Sequence, residues 1–520
     1  MKKERSGLLR AIVVSGGLML ACSNDKKPQP EPVLPLPLGP SGLAETRGSR
    51  QVAPGVTYTR IDRGVQSSQD VFTVDVAFRT DRAAAEGLVA ELQTKGYTVR
   101  LEPLSKRAPD DPGSGPLGYL VRSGSVATST EVNSLRDQLA ASGYSGLRTV
   151  YTGEDGAETT GPWAVHVLEV DPNVFQGKVE PELGTGLLPE RELLTALSKR
   201  KGSLAAINGG YFVIGATDGT PGDMAGISVL KGTLVSEAVD GRTSLILPAG
   251  SGKGADIAAI RDTLTATSSD SAQRLVDGLN RAPGLIRACG GEGGDQPVQV
   301  PRHDFTCTDD SELIQFTPVF GSSTVSGAGV EAVLNASGAV TEFRETRGGA
   351  IPPNGSVLVG TGEAAEWLRA HAQPGATIQV AAEISAEGAA LPAGAGVVNG
   401  GPRLLGSSEP KITAYAEGFV HPDNAEFYYR FGIRRNPRTL AGVTGDGKLL
   451  LVAVDGRQPG HSVGASFEES AAIMKALGAV EAVNLDGGGS TGVTLGEELL
   501  TRPSDATGER PIGDAIVILP

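Results

Sequence analysis

Near its C-terminus the chain runs apolar from Val480 to Leu485, then stops at Asp486, three glycines (Gly487, Gly488, Gly489) and two hydroxyls, Ser490 and Thr491. A short apolar run ending in such a cluster reads as a buried strand closed by a tight turn. Glycine admits backbone angles closed to other residues and lets main-chain N–H groups approach a ligand. Consecutive amides in such a turn can form a nest for an anion. The same design recurs at Asn208-Gly209-Gly210 after the apolar Leu204–Ile207, at Asn399-Gly400-Gly401-Pro402-Arg403, and at Asp455-Gly456-Arg457. One glycine pair after a strand is usually only a turn. Four in one region, each with Asn or Asp just before glycine and three of them before a run of glycines, point to a site assembled from strand ends.

At 520 residues the chain exceeds one ordinary core and should divide into domains. Abundant Gly (72) and Pro (33) with 4% aromatics predict a loop-rich protein with many tight turns. A net charge of −14 argues against nucleic acid as a partner, though not against a small anion held locally.

The N-terminus reads as a targeting segment over residues 1–22. Lys2, Lys3, Arg5 and Arg10 give a basic start, Ala11–Ala21 a short apolar run, and Cys22 follows at once. This resembles a bacterial lipoprotein signal, which implies lipidation of Cys22, anchoring to a membrane and residence in the cell envelope. A plain secretory signal is the alternative. Residues 23–50 are expected as a Pro-rich, semi-rigid linker. In an exported chain, Cys289 and Cys307 are expected to pair as a disulfide. A metal site there would need more ligands than His303, the only histidine between them.

Residues 51–152 are expected to form a small domain built from two similar units. Phe72–Phe78 alternates as a strand, Ala84, Leu88 and Leu92 share a helix face, Gly96 stops the helix, and Val99–Leu104 returns as a strand. Tyr119–Ser125, Thr130–Ala141, Gly143 and Leu147–Tyr151 repeat the order. Two such halves make a ferredoxin-like sheet with helices on one face. Lys95-Gly96-Tyr97, Ser142-Gly143-Tyr144 and Tyr119-Leu-Val-Arg-Ser-Gly-Ser125 resemble the SPOR domain of bacterial cell-envelope proteins. That resemblance implies binding to peptidoglycan glycan strands through the face of the sheet.

Residues 153–520 read as a large mixed α+β domain rich in hairpins, so the expected fold class is α+β throughout. Hairpin signals stand at Lys231-Gly232, Ser337-Gly338 and Thr444–Gly447, and Ser466–Leu477 is the clearest helix. Within this region Arg438-Thr439 is followed by Asp455-Gly-Arg457, Pro459-Gly-His461-Ser-Val-Gly464, a helix with Glu469, Asn484–Thr491, and Arg502-Pro503. That order resembles the phosphodiester glycosidase family, extending back to Asn208-Gly-Gly-Tyr-Phe212. It implies hydrolysis of a sugar-1-phosphodiester at the anomeric carbon. Carboxylates suit an oxocarbenium-like centre and an activated water, making Asp486, Asp455 and Glu469 the catalytic candidates. Arginine suits phosphate oxygens. The substrate-binding candidates are Asn208, Arg403, Arg438, Arg457, Asn484, Gly487, Gly488, Gly489, Ser490 and Thr491. No cofactor is required on this reading, although Asp486 with Asn484 could hold calcium. A non-catalytic wall-binding scaffold and a glycosidase of ordinary glycosides are the alternatives. No Gly-Lys-Ser/Thr phosphate loop occurs.

Overall fold

Short strands joined by glycine turns dominate the backbone. The structure, a computed structural model, describes residues 34–239, 241–250, 254–287, 306–421 and 423–520. The targeting segment with Cys22, and Cys289 and His303, lie outside them. In chain order the elements that position the site begin with the strands β1 (Glu45–Ala53) and β2 (Val56–Arg63). A small module follows: β3 (Phe72–Arg79), α1 (Arg82–Thr94), β4 (Val99–Leu104), β5 (Gly118–Val126), α2 (Ser129–Ala141) and β6 (Arg148–Tyr151). Then come β7 (Trp163–Val170), β8 (Lys178–Leu183), β9 (Ala205–Asn208), β10 (Arg403–Gly406), β11 (Arg438–Thr444) and β12 (Leu449–Val454). The last are α3 (Phe467–Ala476), β13 (Ala479–Asn484), β14 (Val493–Leu495) and β15 (Asp514–Leu519).

One antiparallel sheet of eight strands runs β1-β2-β7-β12-β11-β13-β10, with Glu409–Pro410 at its edge. A five-stranded sheet, Glu498–Leu499 then β14-β9-β15-β8, packs on it. Leu168, Ala441, Leu451 and Val483 from the first sheet meet Ile207, Val493, Ile516 and Ile518 from the second in one buried cluster. This is a sandwich whose inner faces supply the core. Each such aliphatic side chain contributes roughly 1.5–3 kcal/mol by leaving water. On the other face of the large sheet, α3 lays down Phe467, Ala471, Ile473 and Met474 with Leu440 and Val452. Because both faces of β7 are covered, all but one of its eight residues are buried.

The α+β expectation is overturned: strands make up 40% of the chain and helices 16%. The hairpin turns were legible, and residues 228–287 and 306–398 form further sheets that raise the strand content above a balanced mixture. No helix among the described residues is long and apolar enough to cross a membrane.

The small module has the order β4-β5-β3-β6, with α1 (Ala85, Leu92) and α2 (Val132, Leu139) on one face over Val74, Val76 and Val121. Thr128 and Glu131 form a capping box at the start of α2. The expected linker, residues 23–50, gives way to folded structure well before residue 50. Leu36 and Leu38 are buried in the main core, and β1 pairs with β2, which pairs along its whole length with β7. Residues 45–63 therefore belong to the large sheet, and the module begins only after them. Leu36–Pro520 forms one compact unit.

Candidate active site

The segment 485–492 leaves β13 in the large sheet and enters β14 in the smaller one, so it spans the two layers at one end of the sandwich. Asn208 ends β9 opposite Ala515, and Asp514 opens β15 beside it. Asn484 ends β13 opposite Leu440.

Asn208 ties these ends together. Its Nδ2 donates to the Asp486 carbonyl at 2.8 Å, while its Oδ1 accepts from Thr439 Oγ1 at 2.6 Å and Gly492 N at 3.1 Å. With 1% exposure it positions the turn and does not face a substrate. Asn484 Nδ2 donates to the Leu485 and Gly401 carbonyls and lies 2.5 Å from Tyr211 Oη.

The glycines act mainly through close packing. A Cβ on Gly487 would stand 2.7 Å from the Pro437 carbonyl, and one on Gly489 would stand 2.3 Å from both Arg510 Nη2 and Asp505 Oδ2. Gly488 has φ +61°, in the left-handed region that favours glycine. The expected anion nest is corrected at two of its amides. Gly487 N–H donates to Asp486 Oδ1 at 2.8 Å, and Gly488 N–H to the Pro437 carbonyl at 3.0 Å.

Two carboxylates flank the Asn208–Gly210 segment. Asp486 is half-buried, and its N–H donates to the Gly209 carbonyl. Asp514, absent from the sequence-based candidates, is 1% exposed and accepts from Gly210 N–H at 2.8 Å. Burial pushes its carboxyl up to about 7; the Gly210 hydrogen bond opposes this and the charge of Asp486 adds to it. An acid opening the last apolar strand was the available signal for Asp514.

Asp455 is also 1% exposed, but it is surrounded by donors. His461 Nε2 lies 2.8 Å and His166 Nε2 3.4 Å from its Oδ2, and the Arg502 N–H approaches at 3.3 Å. Burial pushes this carboxyl up, yet the hydrogen bonds from His166 and His461 outweigh it and hold it below the usual aspartate value. An ionised Asp455 requires His166 to donate from Nε2, and His166 Nδ1 lies 2.8 Å from Tyr58 Oη on the other side of the ring.

The arginines divide sharply. Arg457 is exposed, sits beside Gly488, and donates to Asn436 Oδ1 at 2.9 Å rather than to a carboxylate. Its φ of +58° is uncommon for a residue with a side chain. Arg438 is 1% exposed, donates to the Ala465 and Phe431 carbonyls, and lies 4.4 Å from the Phe467 ring centroid. It braces the aromatic core and does not reach the turn's surface. Arg403 is held by Glu481 and Glu387 at the far edge of the large sheet. Glu469 closes the capping box of α3 with Ser466 and pairs with Arg435 at 2.7 Å, so both its oxygens are engaged in structure. Arg438, Arg403 and Glu469 thus stand apart from the segment around Asp486.

Four polar atoms near that segment are buried without a hydrogen-bond partner: Asn484 Oδ1, Ser490 Oγ, Thr491 Oγ1 and Asp514 Oδ2. Buried polar groups are ordinarily satisfied, so these four leave hydrogen-bonding capacity unused around the turn. For the calcium reading, no group of three or more His, Cys, Asp or Glu able to hold a metal ion stands together among the described residues.

A phosphodiester glycosidase family model matches residues 328–519, and a SPOR domain model matches residues 68–148. Among solved structures, a Burkholderia pseudomallei protein described as exported superposes with a TM-score of 0.87 at 35% identity, covering 94% of this chain and 99% of that one. A hypothetical protein from Synechocystis shares the fold at a TM-score of 0.53 and 18% identity, covering 91% and 75%. The zebrafish N-acetylglucosamine-1-phosphodiester alpha-N-acetylglucosaminidase catalytic domain is a much looser likeness, with a TM-score of 0.34 and 15% identity over 81% and 88%. No curated protein matches the chain in sequence. The chain belongs to the phosphodiester glycosidase family and carries a SPOR domain ahead of the glycosidase domain. Asn208–Gly210 lies upstream of the matched glycosidase stretch, although it is bonded into the same site.

Proposed function

We propose that the chain hydrolyses a sugar-1-phosphodiester of the GlcNAc-1-phosphodiester kind at the anomeric carbon, outside the cytoplasm in a bacterial cell envelope. The observation that carries this reading is the set of unsatisfied buried atoms on Asn484, Ser490, Thr491 and Asp514 around Asp486, with the exposed Arg457 beside Gly488. Asp486 is the carboxylate that meets the anomeric carbon or its attacking water. Asp514, buried and with its carboxyl pushed up to about 7, is protonated below neutrality and so limits a second negative charge beside Asp486. The leaving phosphomonoester is already a good anion, so Arg457 serves it by holding charge and not by giving a proton. Asn208 and the packed glycines fix these groups before substrate arrives.

The SPOR domain and the exported relative support an envelope location with peptidoglycan glycan as a partner. Lipidation at Cys22 would hold the chain at a membrane, and a Cys289–Cys307 disulfide would suit that compartment. Fixing the glycosidase near the wall raises the effective concentration of wall-linked substrate.

The test is release of sugar from a GlcNAc-1-phosphodiester compared with an aryl glycoside. Turnover of the phosphodiester alone is expected, falling by about a thousandfold or more in Asp486→Asn without loss of fold. Retained activity in that variant removes Asp486 from the mechanism. Turnover of the aryl glycoside alone indicates an ordinary glycosidase, and turnover of neither leaves a carbohydrate-binding scaffold.

A further inference from the structure

The helix-free face of the SPOR sheet is not open to solvent. Phe72, Phe78, Leu120 and Tyr151 project from it into the main core, and Phe78 stacks on Tyr429 with ring centroids 6.5 Å apart. Arg122, on the same sheet, donates to Tyr429 Oη at 2.8 Å and pairs with Asp75 and Asp155. Arg430 and Arg434 approach Asp75 from the glycosidase side at 3.7 and 3.9 Å. A buried, hydrogen-bonded ion network backed by stacked rings is a fixed interface. The surface through which the resemblance implied glycan binding is therefore covered by the chain's own residues 428–435.

At the rim of this interface the two domains leave a cleft of about 540 Å³. The SPOR domain supplies Ser129 and Asn133 from the first turns of α2 and Arg148 from β6; the glycosidase domain supplies Asn436, Arg457 and Pro459. Arg430, Arg434 and Arg435 line it too, against a single acidic residue, Glu154. In a chain of net charge −14 this is a local concentration of positive charge. The three central arginines are matched by Glu426, Glu154 with Asp155, and Glu469. Arg148 and Arg457 are exposed and have no such match, and they come from different domains. Arg457 also stands beside the segment that carries Asp486: a Cβ added at Gly488 would lie 3.3 Å from its guanidinium. A cleft with mixed polar and apolar walls and two guanidinium groups outside any ion pair is suited to a chain bearing repeated anionic oxygens with sugar rings between them.

We propose that this cleft binds a phosphate-bearing glycan chain between the SPOR and glycosidase domains, leading it past Arg148 to Arg457 and the Asp486 segment. The inference rests on the phosphodiester reading for the end of that path only. On it, the SPOR domain acts as one wall of the substrate groove and not as a separate tether. Glycan recognition moves from the covered sheet face to the edge formed by α2 and β6.

The test is direct binding by the full chain of two soluble probes: a teichoic-acid-type polymer containing sugar-1-phosphate links, and uncharged glycan from peptidoglycan stripped of its peptides and acetylated. Arg148→Glu is expected to weaken the phosphate polymer by about tenfold at low salt, with the effect shrinking as salt is added. Arg136→Glu makes the same charge change on the exposed face of α2, outside the cleft, and is expected to have little effect. Arg148→Lys should restore most of the binding. Equal weakening by Arg136→Glu and Arg148→Glu would overturn the proposal, as would uncharged glycan bound as tightly as the polymer and unaffected by either change. Because binding is read without turnover, a chain that binds the polymer but releases no sugar refutes the catalytic reading alone.

Discussion

Asp455 and Asp514 lie at strand ends of the sandwich, and both are 1% exposed, yet their chemistry is opposite. Asp455 follows β12 and is met by His166, His461 and the Arg502 N–H. Asp514 opens β15, has one backbone donor, and leaves Oδ2 unsatisfied. Burial pushes both carboxyls up. Only at Asp455 do the neighbours reverse that push. Depth alone therefore does not decide whether a buried acid is charged; the number of donors aimed at it does. Asp455 is the more firmly held of the two, and Asp514 keeps its proton to much higher pH.

The largest effect is expected from removing the anchor. Asp455→Ala leaves the buried His166 Nε2 without its acceptor and releases His461 and Arg502, so it should cost about 3 kcal/mol of stability at neutral pH, measured by urea unfolding. A loss under about 1 kcal/mol would mean that the histidines re-pair and that the contrast between the two acids is shallower than drawn.

Asp514→Asn tests the other side. The folded chain holds the Asp514 proton up to about 7, while the unfolded chain releases it near the ordinary aspartate value. The folded state thus binds more protons between these values, and its stability falls as pH rises through that window. Each pH unit there costs the wild type about 1.4 kcal/mol. The asparagine variant lacks this slope, so it should gain on the order of 2 kcal/mol relative to wild type between pH 5 and pH 8, by melting or urea titration. For Asp455 the sign is reversed: its contribution is present above the ordinary aspartate range and is lost only on acidification below it. Parallel pH slopes for wild type and Asp514→Asn would show that Asp514 is ionised after all.

Much of the architecture was legible because turn chemistry is local. Lys231-Gly232 and Gly338 adopt the positive φ that their hairpins need, and Gly96, Gly143 and Gly478 follow helices as expected. Asn208, Asp455, Asn484 and Asp486 could be picked out because each ends or closely follows an apolar strand. What could not be read were long-range partners. Nothing near Arg438 or Arg403 in the chain shows that one sits among Phe431 and Phe467 and the other between Glu481 and Glu387. Asp514 was passed over for the same reason, since its meaning lies in Gly210, hundreds of residues away. The pairing of β1 with β2 and of β2 with β7 placed residues 45–63 in the large sheet, whereas residues 45–50 were expected in the linker and 51–63 in the small domain.

Glu469 gives the smallest expected effect and the finest distinction. From its place on the rim of an apolar helix face it was a candidate acid, whereas the structure gives it the role of Asp455 in miniature. One oxygen caps the Ser466 N–H and both accept from Arg435. Arg435 in turn donates to the Gly153 and Ala157 carbonyls, so the pair fixes α3 against the segment that leaves the SPOR domain. Glu469→Gln keeps an acceptor for the cap and for one guanidinium N–H but removes the charge. It should lower stability by about 1 kcal/mol through the weakened cap and ion pair. If the assignment is right, kcat and KM for the small phosphodiester stay within about twofold, because the side chain touches neither Asp486 nor Arg457. A drop in kcat of about a hundredfold at unchanged stability would return Glu469 to the reacting groups. It would also show that the donors around a buried carboxylate do not suffice to tell an anchor from an acid at this site.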